Sequence, residues 1–267
     1  TTTVGQTDFT PNSTYHMRMD NTPDDDTTWM ELFQRIEDVT RFSGVTVTLS
    51  FWVQSSNTVT NNYFQLKQNF GSGGSTAVAV NSANFTTNST WTKHEITFSL
   101  ASISGKTVGA SSYLECRLLQ GSAVTADTSY NFANMQLEYG SVATEFERLD
   151  EATQLNRCYR YFYMHASGTN VNQYQDNSPI GNAAAYTNTS WFGYIPFPTQ
   201  MRTQPTFHKS LGTDRLLLYT RSGSQGFNDV ALQDNGQNGQ IINYYDSLSS
   251  TDQAGWVQLN NNDAYLG

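Results

Sequence analysis

Charge, proline and cysteine are all scarce in this chain. Of its 267 residues 14% are charged, six are proline and two are cysteine. The 14 Lys and Arg are outnumbered by 23 Asp and Glu, for a net charge of −9. Nucleic-acid binding requires a basic stripe that neutralises phosphates, so that class is excluded, and anionic membranes are disfavoured on the same ground. No apolar run reaches the ~20 residues of a membrane-spanning helix, so none is expected. The two cysteines, Cys116 and Cys158, fall in segments with strand character. They read as buried free thiols, because Cys is among the most buried residue types and a chain of this length needs no staple. The chain opens at Thr1 without Met or a charged-then-apolar leader, and the expectation is a piece processed from something longer.

Catalytic signatures are equally sparse. The histidines are His16, His94, His165 and His208, and no G-x-S-x-G elbow accompanies them. The run "GSGGS" at 71–75 reads as a flexible turn, so a nucleophilic triad is not expected. Glycan cleavage by paired carboxylates has Glu37/Asp38, Glu145/Glu147 and Asp150/Glu151 as candidates. All three pairs sit in turn-like segments and read as solvated carboxylates. No Cys/His cluster has zinc spacing. The expectation is a non-enzymatic protein without a cofactor.

What the chain does have is aromatic residues, at 13%, set among Thr, Ser, Asn, Gln and Gly. Residues 46–53, "TVTLSFWV", alternate strictly, with Val47, Leu49, Phe51 and Val53 on one face, the period of a half-buried strand. Similar patterns recur at 29–36, 63–70, 76–80, 95–100, 113–119 and 130–139, separated by turn signals. About eight short strands without a long helical pattern indicate an antiparallel sandwich. The segment "RLDEATQLNRCYRYF" then carries a helical turn with Asp150 as N-cap and Leu155 with Cys158 or Tyr159 as an apolar edge. Strand patterns resume in "CYRYFYMH", "SWFGYIPF", "PTFHK", "RLLLYTR", "QIINYYD" and "GWVQL". The reading is all-β: a jelly-roll-like sandwich over 1–148, a short helical seam over 149–157 and a second β-sandwich over 158–267.

Long polar stretches at 166–190 and 222–240 read as loops that face a partner. Within and beside them Tyr174, Tyr186, Phe227, Tyr244 and Tyr245, with Asn228 and Asp229, combine aromatic faces for sugar stacking with polar groups for hydroxyls. Trp191 and Trp256 read as core or subunit interface. The acidic run "DNTPDDD" offers Asp20, Asp24 and Asp26 as hard oxygen ligands of the kind calcium prefers. A solvated acidic loop is the favoured reading of it.

Three motifs carry a resemblance. The first is Gln136-Leu137-Glu138, Gly140-Ser141-Val142-Ala143-Thr144 and Phe146-Glu147. The second is Leu155, Cys158 and Arg160-Tyr161-Phe162, and the third is Phe197-Pro198, Met201-Arg202 and Pro205-Thr206. In this order they resemble bacteriophage tail-fibre and related virion proteins, in which a carbohydrate-binding-module-like jelly roll precedes a C-terminal β receptor-binding domain. Glu145 stands where that pattern has Pro. In related jelly rolls a calcium ligand lies in the last strand, and Asn134 occupies the matching position. The resemblance implies a particle-borne homotrimer on the virion exterior, assembled with other tail or fibre proteins and attaching to a host-surface glycan. Two other readings stay open: a purely structural virion decoration or connector, and a carbohydrate-binding module of a secreted glycan-degrading enzyme.

Overall fold

The computed structural model describes residues 13, 15–20, 31–120, 128–167, 179–187, 190–210, 216–221, 223–227, 229–245, 254–259 and 265–266. The chain divides into two compact units, Thr1–Arg148 and Leu149–Gly267.

In the first unit the alternating segments become β1 (Met17–Asp20), β2 (Leu32–Glu37), β3 (Thr46–Ser55), β4 (Val59–Asn69), β5 (Val78–Asn81), β6 (Phe85–Thr87), β7 (Thr92–Ser99), β8 (Tyr113–Gln120) and β9 (Ser129–Tyr139). They form two antiparallel sheets, ordered β1-β9-β3-β7 and β2-β8-β4-β5, with β6 also paired to β4. Inward residues of both sheets build one core. Leu49 and Phe51 from β3, Phe132 from β9, Phe64 and Leu66 from β4, and Leu114 and Leu118 from β8 are all buried. Phe51 and Phe64, one from each sheet, meet at 4.9 Å between ring centroids. The buried Gln68 side chain is satisfied within the unit: its amide donates to the carbonyls of Phe42 (2.8 Å) and Ala101 (2.9 Å). The "GSGGS" turn is strapped down rather than flexible. The Ser72 and Ala110 backbones exchange hydrogen bonds, and Gly109 N–H donates to the Phe70 carbonyl at 2.7 Å.

The first motif explains how this unit closes. At Gly140 the chain turns with φ +109°, a conformation that costs glycine little. Segment 140–147 is then tied to side chains and backbone of the β1-β9-β3-β7 sheet. The Glu138 carboxylate accepts from the Thr144 N–H (2.9 Å) and hydroxyl (2.7 Å). The Gln136 side chain accepts from the Glu147 N–H at 2.8 Å and donates to the Glu145 carbonyl at 3.4 Å. Thr48 donates to the Gly140 carbonyl at 2.8 Å. On β3, Thr48 and Ser50 alternate with the core residues and are nonetheless buried. The non-proline residue at 145 is thus held through its backbone.

The second unit begins with α1 (Glu151–Tyr159), where the Asp150 side chain accepts from the Thr153 N–H at 2.9 Å as an N-cap. The helix buries none of its residues, so the apolar edge read at Leu155 and Cys158 is exposed. Among the described residues the strands are β10 (Ala166–Ser167), β11 (Pro179–Thr187), β12 (Ser190–Pro196), β13 (Lys209–Ser210), β14 (Leu216–Thr220), β15 (Gly223–Phe227), β16 (Asp229–Asn235), β17 (Gly239–Tyr245), β18 (Ala254–Leu259) and β19 (Tyr265–Leu266). A seven-stranded sheet runs β15-β14-β18-β11-β12-β17-β16, and a three-stranded one β10-β19-β13. The core draws on one face of the large sheet: Ile180, Ala183, Trp191, Ile195, Leu216, Leu218, Val230, Ile242 and Val257 are buried there with Ala166.

Three expectations are corrected here. Residues 158–165 do not form a strand, because the helix capped at Asp150 runs through Tyr159 and the chain leaves it in a turn. The stretch 222–240 is not one long loop, since most of it is β15 and β16, the two edges of the seven-stranded sheet. A strand at an edge bonds on one side only, which suits its Gly-, Asn- and Gln-rich composition. Within 166–190, likewise, Pro179–Thr187 is a strand that lies inside the sheet.

Candidate functional site

The outward face of the seven-stranded sheet carries a group of exposed aromatic rings. Alternation on β14, β18, β11 and β12 sends Leu218, Val257, Ala183 and Trp191 inward, and sends Tyr219, Trp256, Tyr186, Phe192 and Tyr194 outward. Trp256 lies directly opposite Tyr219 on one side and Asn182 on the other. Phe192 stacks on Tyr186, with centroids 5.0 Å apart and planes 20° apart. Relative exposure is 72% for Tyr186, 59% for Tyr194, 45% for Trp256 and 38% for Tyr219.

Tyr194 owes its position to a glycine. A Cβ on Gly239 would stand 2.3 Å from the Tyr194 hydroxyl oxygen, so the ring lies across β17 only because position 239 has no side chain. The outcome is a surface of π-faces with Asn182 exposed among them. Such an arrangement offers stacking surface for the apolar face of a ring ligand and an amide for its hydroxyls.

On the outer face of the first unit's five-stranded sheet the aromatics are interleaved with guanidinium groups, and Phe33 stays 47% exposed. Arg35 stands over Tyr113 (4.7 Å) and Phe33 (5.2 Å), and its Nε donates to Glu115 at 3.1 Å. Arg117 pairs with the other Glu115 oxygen at 2.9 Å and with Glu31 at 3.4 Å. Glu115, only 2% exposed, is enclosed by this network. The network staples strands together.

Of the aromatic candidates read from the sequence, Tyr186 lies on the exposed face. Phe227 and Asp229 fall in edge strands, opposite Leu216 and Tyr245 respectively. Tyr244 pairs in register with Trp191 and Val230, and Tyr245 with Ser190 and Asp229. Tyr174 and Asn228 lie outside the described residues. The residues that sequence reasoning missed are Trp256, Tyr194, Tyr219 and Phe192. Of the two places expected for these tryptophans, core or subunit interface, Trp191 takes the core, and Trp256 is on the open face. Both sit in equally regular strand patterns, and only the phase of each strand against the core separates them.

Of the acidic candidates, Asp20 is on β1 opposite Ser129 and accepts from Arg18 at 2.7 Å. Asn134 forms a β-bulge with φ +49°. Ser129 and Asn134 are five residues apart along β9, a rise of about 16 Å. A cation held by oxygen atoms at about 2.4 Å cannot touch both Asp20 and Asn134. Asp24 and Asp26 lie outside the described residues. Among the described residues no group of three or more His, Cys, Asp or Glu gathers around one point.

The carboxylate pairs have structural duties in part. Asp38 caps the short helix Val39–Phe42, accepting from the Thr40 N–H at 3.0 Å. Hydrogen bonds from Thr153 hold the Asp150 carboxyl below its ordinary value. The cysteines are both free: Cys116 is buried, with its thiol pushed up to about 12 by burial, and Cys158 is exposed on α1. The expectation of two buried thiols therefore fails at Cys158, whose helix buries no residue.

No protein-family model matches the chain, and no curated protein matches it. Among solved structures, a CBM4 structure is similar at 17% identity, over 47% of this chain and 71% of that one, with a TM-score of 0.30. The CBM22-1–CBM22-2 tandem domain of Paenibacillus barcinonensis Xyn10C is similar at 9% identity over 94% of this chain and 96% of that one, with a TM-score of 0.29. The PBSX exported protein XepA is similar at 6% identity over 94% and 82% of the two chains, with a TM-score of 0.23.

Proposed function

We propose that the chain is a non-enzymatic attachment protein that binds a surface glycan through the outer face of its seven-stranded sheet. One observation carries this reading: Tyr219, Trp256, Tyr194 and Tyr186 stand exposed on one sheet face, with the half-buried Phe192 stacked on Tyr186. Exposed apolar groupings of this kind mark interaction sites, and flat aromatic faces suit pyranose rings. The three motifs add the particle context, a homotrimeric tail-fibre or receptor-binding component on the virion exterior. Contacts that are weak singly would then be multiplied across subunits. No cofactor takes part in this reading.

The same aromatics favour a second reading, in which the face is buried between subunits of a purely structural virion protein. Two measurements separate the readings. A glycan microarray probed with the wild-type chain and with Trp256→Ala is expected to show defined wild-type signals that the variant loses. Light scattering on both is expected to give the same trimeric mass. Loss of the trimer in Trp256→Ala, with no glycan signal from either protein, would assign the face to assembly and overturn the attachment reading. A monomer with array signals would instead fit a carbohydrate-binding module of a secreted enzyme.

A further inference from the structure

The second unit also holds a cavity of about 310 Å³ that the aromatic face does not use. It is built where the second and third motifs converge. The chain leaving α1 supplies Arg160 and Tyr163, the segment after β12 supplies Phe197 and Arg202, and Gln240 of β17 adds a buried amide. Backbone bonds fix this arrangement. The Arg202 N–H donates to the Arg160 carbonyl at 2.9 Å, which ties the two segments together at the backbone. The N–H groups of Met201 and Phe197 donate to the carbonyls of Gln237 (2.8 Å) and Asn238 (3.0 Å), and the Gln237 amide donates to the Arg202 carbonyl at 3.0 Å.

The residue types of its lining reverse the balance of the chain. The protein carries 23 acidic and 14 basic residues, yet the cavity lining includes two arginines and two histidines and no Asp or Glu. One histidine is committed to the wall: His165 Nε2 donates to the Ile180 carbonyl at 2.6 Å, which leaves Nδ1 to accept from the Tyr163 hydroxyl at 3.3 Å. Tyr163 also meets Phe197 edge to face at 6.1 Å, so this wall is aromatic. Hydroxyls and amides of Thr203, Gln204 and Thr206 complete the lining.

Arginine pairs suit carboxylates and phosphates, aromatic walls suit ring faces, and hydroxyl-rich linings suit polyols. We infer that this cavity takes an acidic sugar residue, its carboxylate set on Arg160 and Arg202 and its ring against Tyr163 and Phe197. A bare inorganic anion would have no use for the aromatic wall. The inference stands apart from the aromatic face, because the two sites use different residues and either can fail alone.

The test is calorimetric titration of the full chain with hyaluronan hexasaccharide, trigalacturonic acid and 3′-sialyllactose. Each is paired with its carboxyl-reduced counterpart, and inorganic phosphate serves as control. At least one acidic oligosaccharide is expected to bind, tenfold or more tighter than its reduced form and more weakly as salt rises. Arg202→Gln is expected to cost at least tenfold, Arg202→Lys less, and Trp256→Ala nothing for this ligand. The three acidic probes distinguish uronic from sialic acid. No binding by any of them, equal binding of the reduced forms, or phosphate binding as tightly as the sugars would each overturn the inference. The reduced-form comparison uses wild-type protein and so does not depend on a variant folding.

Discussion

His94 sits on β7 facing inward, stacked on Phe51 at 5.4 Å and close to Phe85 at 4.8 Å. Its Nε2 is buried without a hydrogen-bond partner among the described residues, and burial lowers its pKa from the ordinary 6.5. A base with a depressed folded pKa binds its proton more readily when unfolded. Stability is therefore full above about 6.5 and is lost as pH falls below that value. Thermal melts between pH 8 and 5 should show this decline, and His94→Phe should flatten it. The thiols give a simpler contrast. Cys116 is buried with its pKa near 12, while Cys158 is exposed, and the thiolate is the reactive form. A thiol reagent should label one cysteine per native chain and two after denaturation. Rapid native labelling of both would contradict the packing around β8. At Gly239 an added methyl meets the Tyr194 hydroxyl, so Gly239→Ala should displace that ring and weaken glycan binding about tenfold, roughly 1.4 kcal/mol, with little change in melting temperature.

At the scale of elements, the 140–147 latch is the clearest case of a motif with a mechanical explanation. Glu138 and Gln136 hold it, and the bonds from Thr144 keep the Glu138 carboxyl below its ordinary 4.5. A carboxyl with a depressed folded pKa stabilises the fold above its unfolded value and loses that contribution as pH falls through the folded one. Glu138→Gln should cost roughly 1 kcal/mol at neutral pH, and its deficit should shrink below pH 4.5, a window separate from that of His94. An unchanged melt would mean the segment is held by other contacts. Most strands of the first unit were legible because one buried face gives strict alternation, as in "TVTLSFWV". The polar edge strands β15 and β16 were not. Their pairing is supplied by β14 and β17, and nothing in "GSQGF" or "DVALQDN" alternates strongly enough to announce it. The strand read at 158–165 failed for a related reason: alternating Tyr159, Tyr161 and Tyr163 imitates a strand, while the cap at Asp150 commits the chain to a helix.

At the scale of the molecule, the composition was a good guide to the class of protein and a poor one to the site. Few charges and many aromatics led to an all-β chain. They did not separate Trp191, wholly buried, from Trp256, 45% exposed, because that depends on which face of the sheet the second core covers. Of the aromatic candidates taken from loop-like text, Tyr186 stands on the exposed face. The most direct test of the account follows the indole N–H resonances of the chain's five tryptophans by NMR during titration with a glycan selected on the array. Trp256→Phe identifies one signal by its disappearance. The expected result is that this signal shifts in a saturable way while that of buried Trp191 stays still. A saturable shift at other tryptophans with Trp256 unmoved would contradict the assignment of the outer sheet face as the glycan-binding surface.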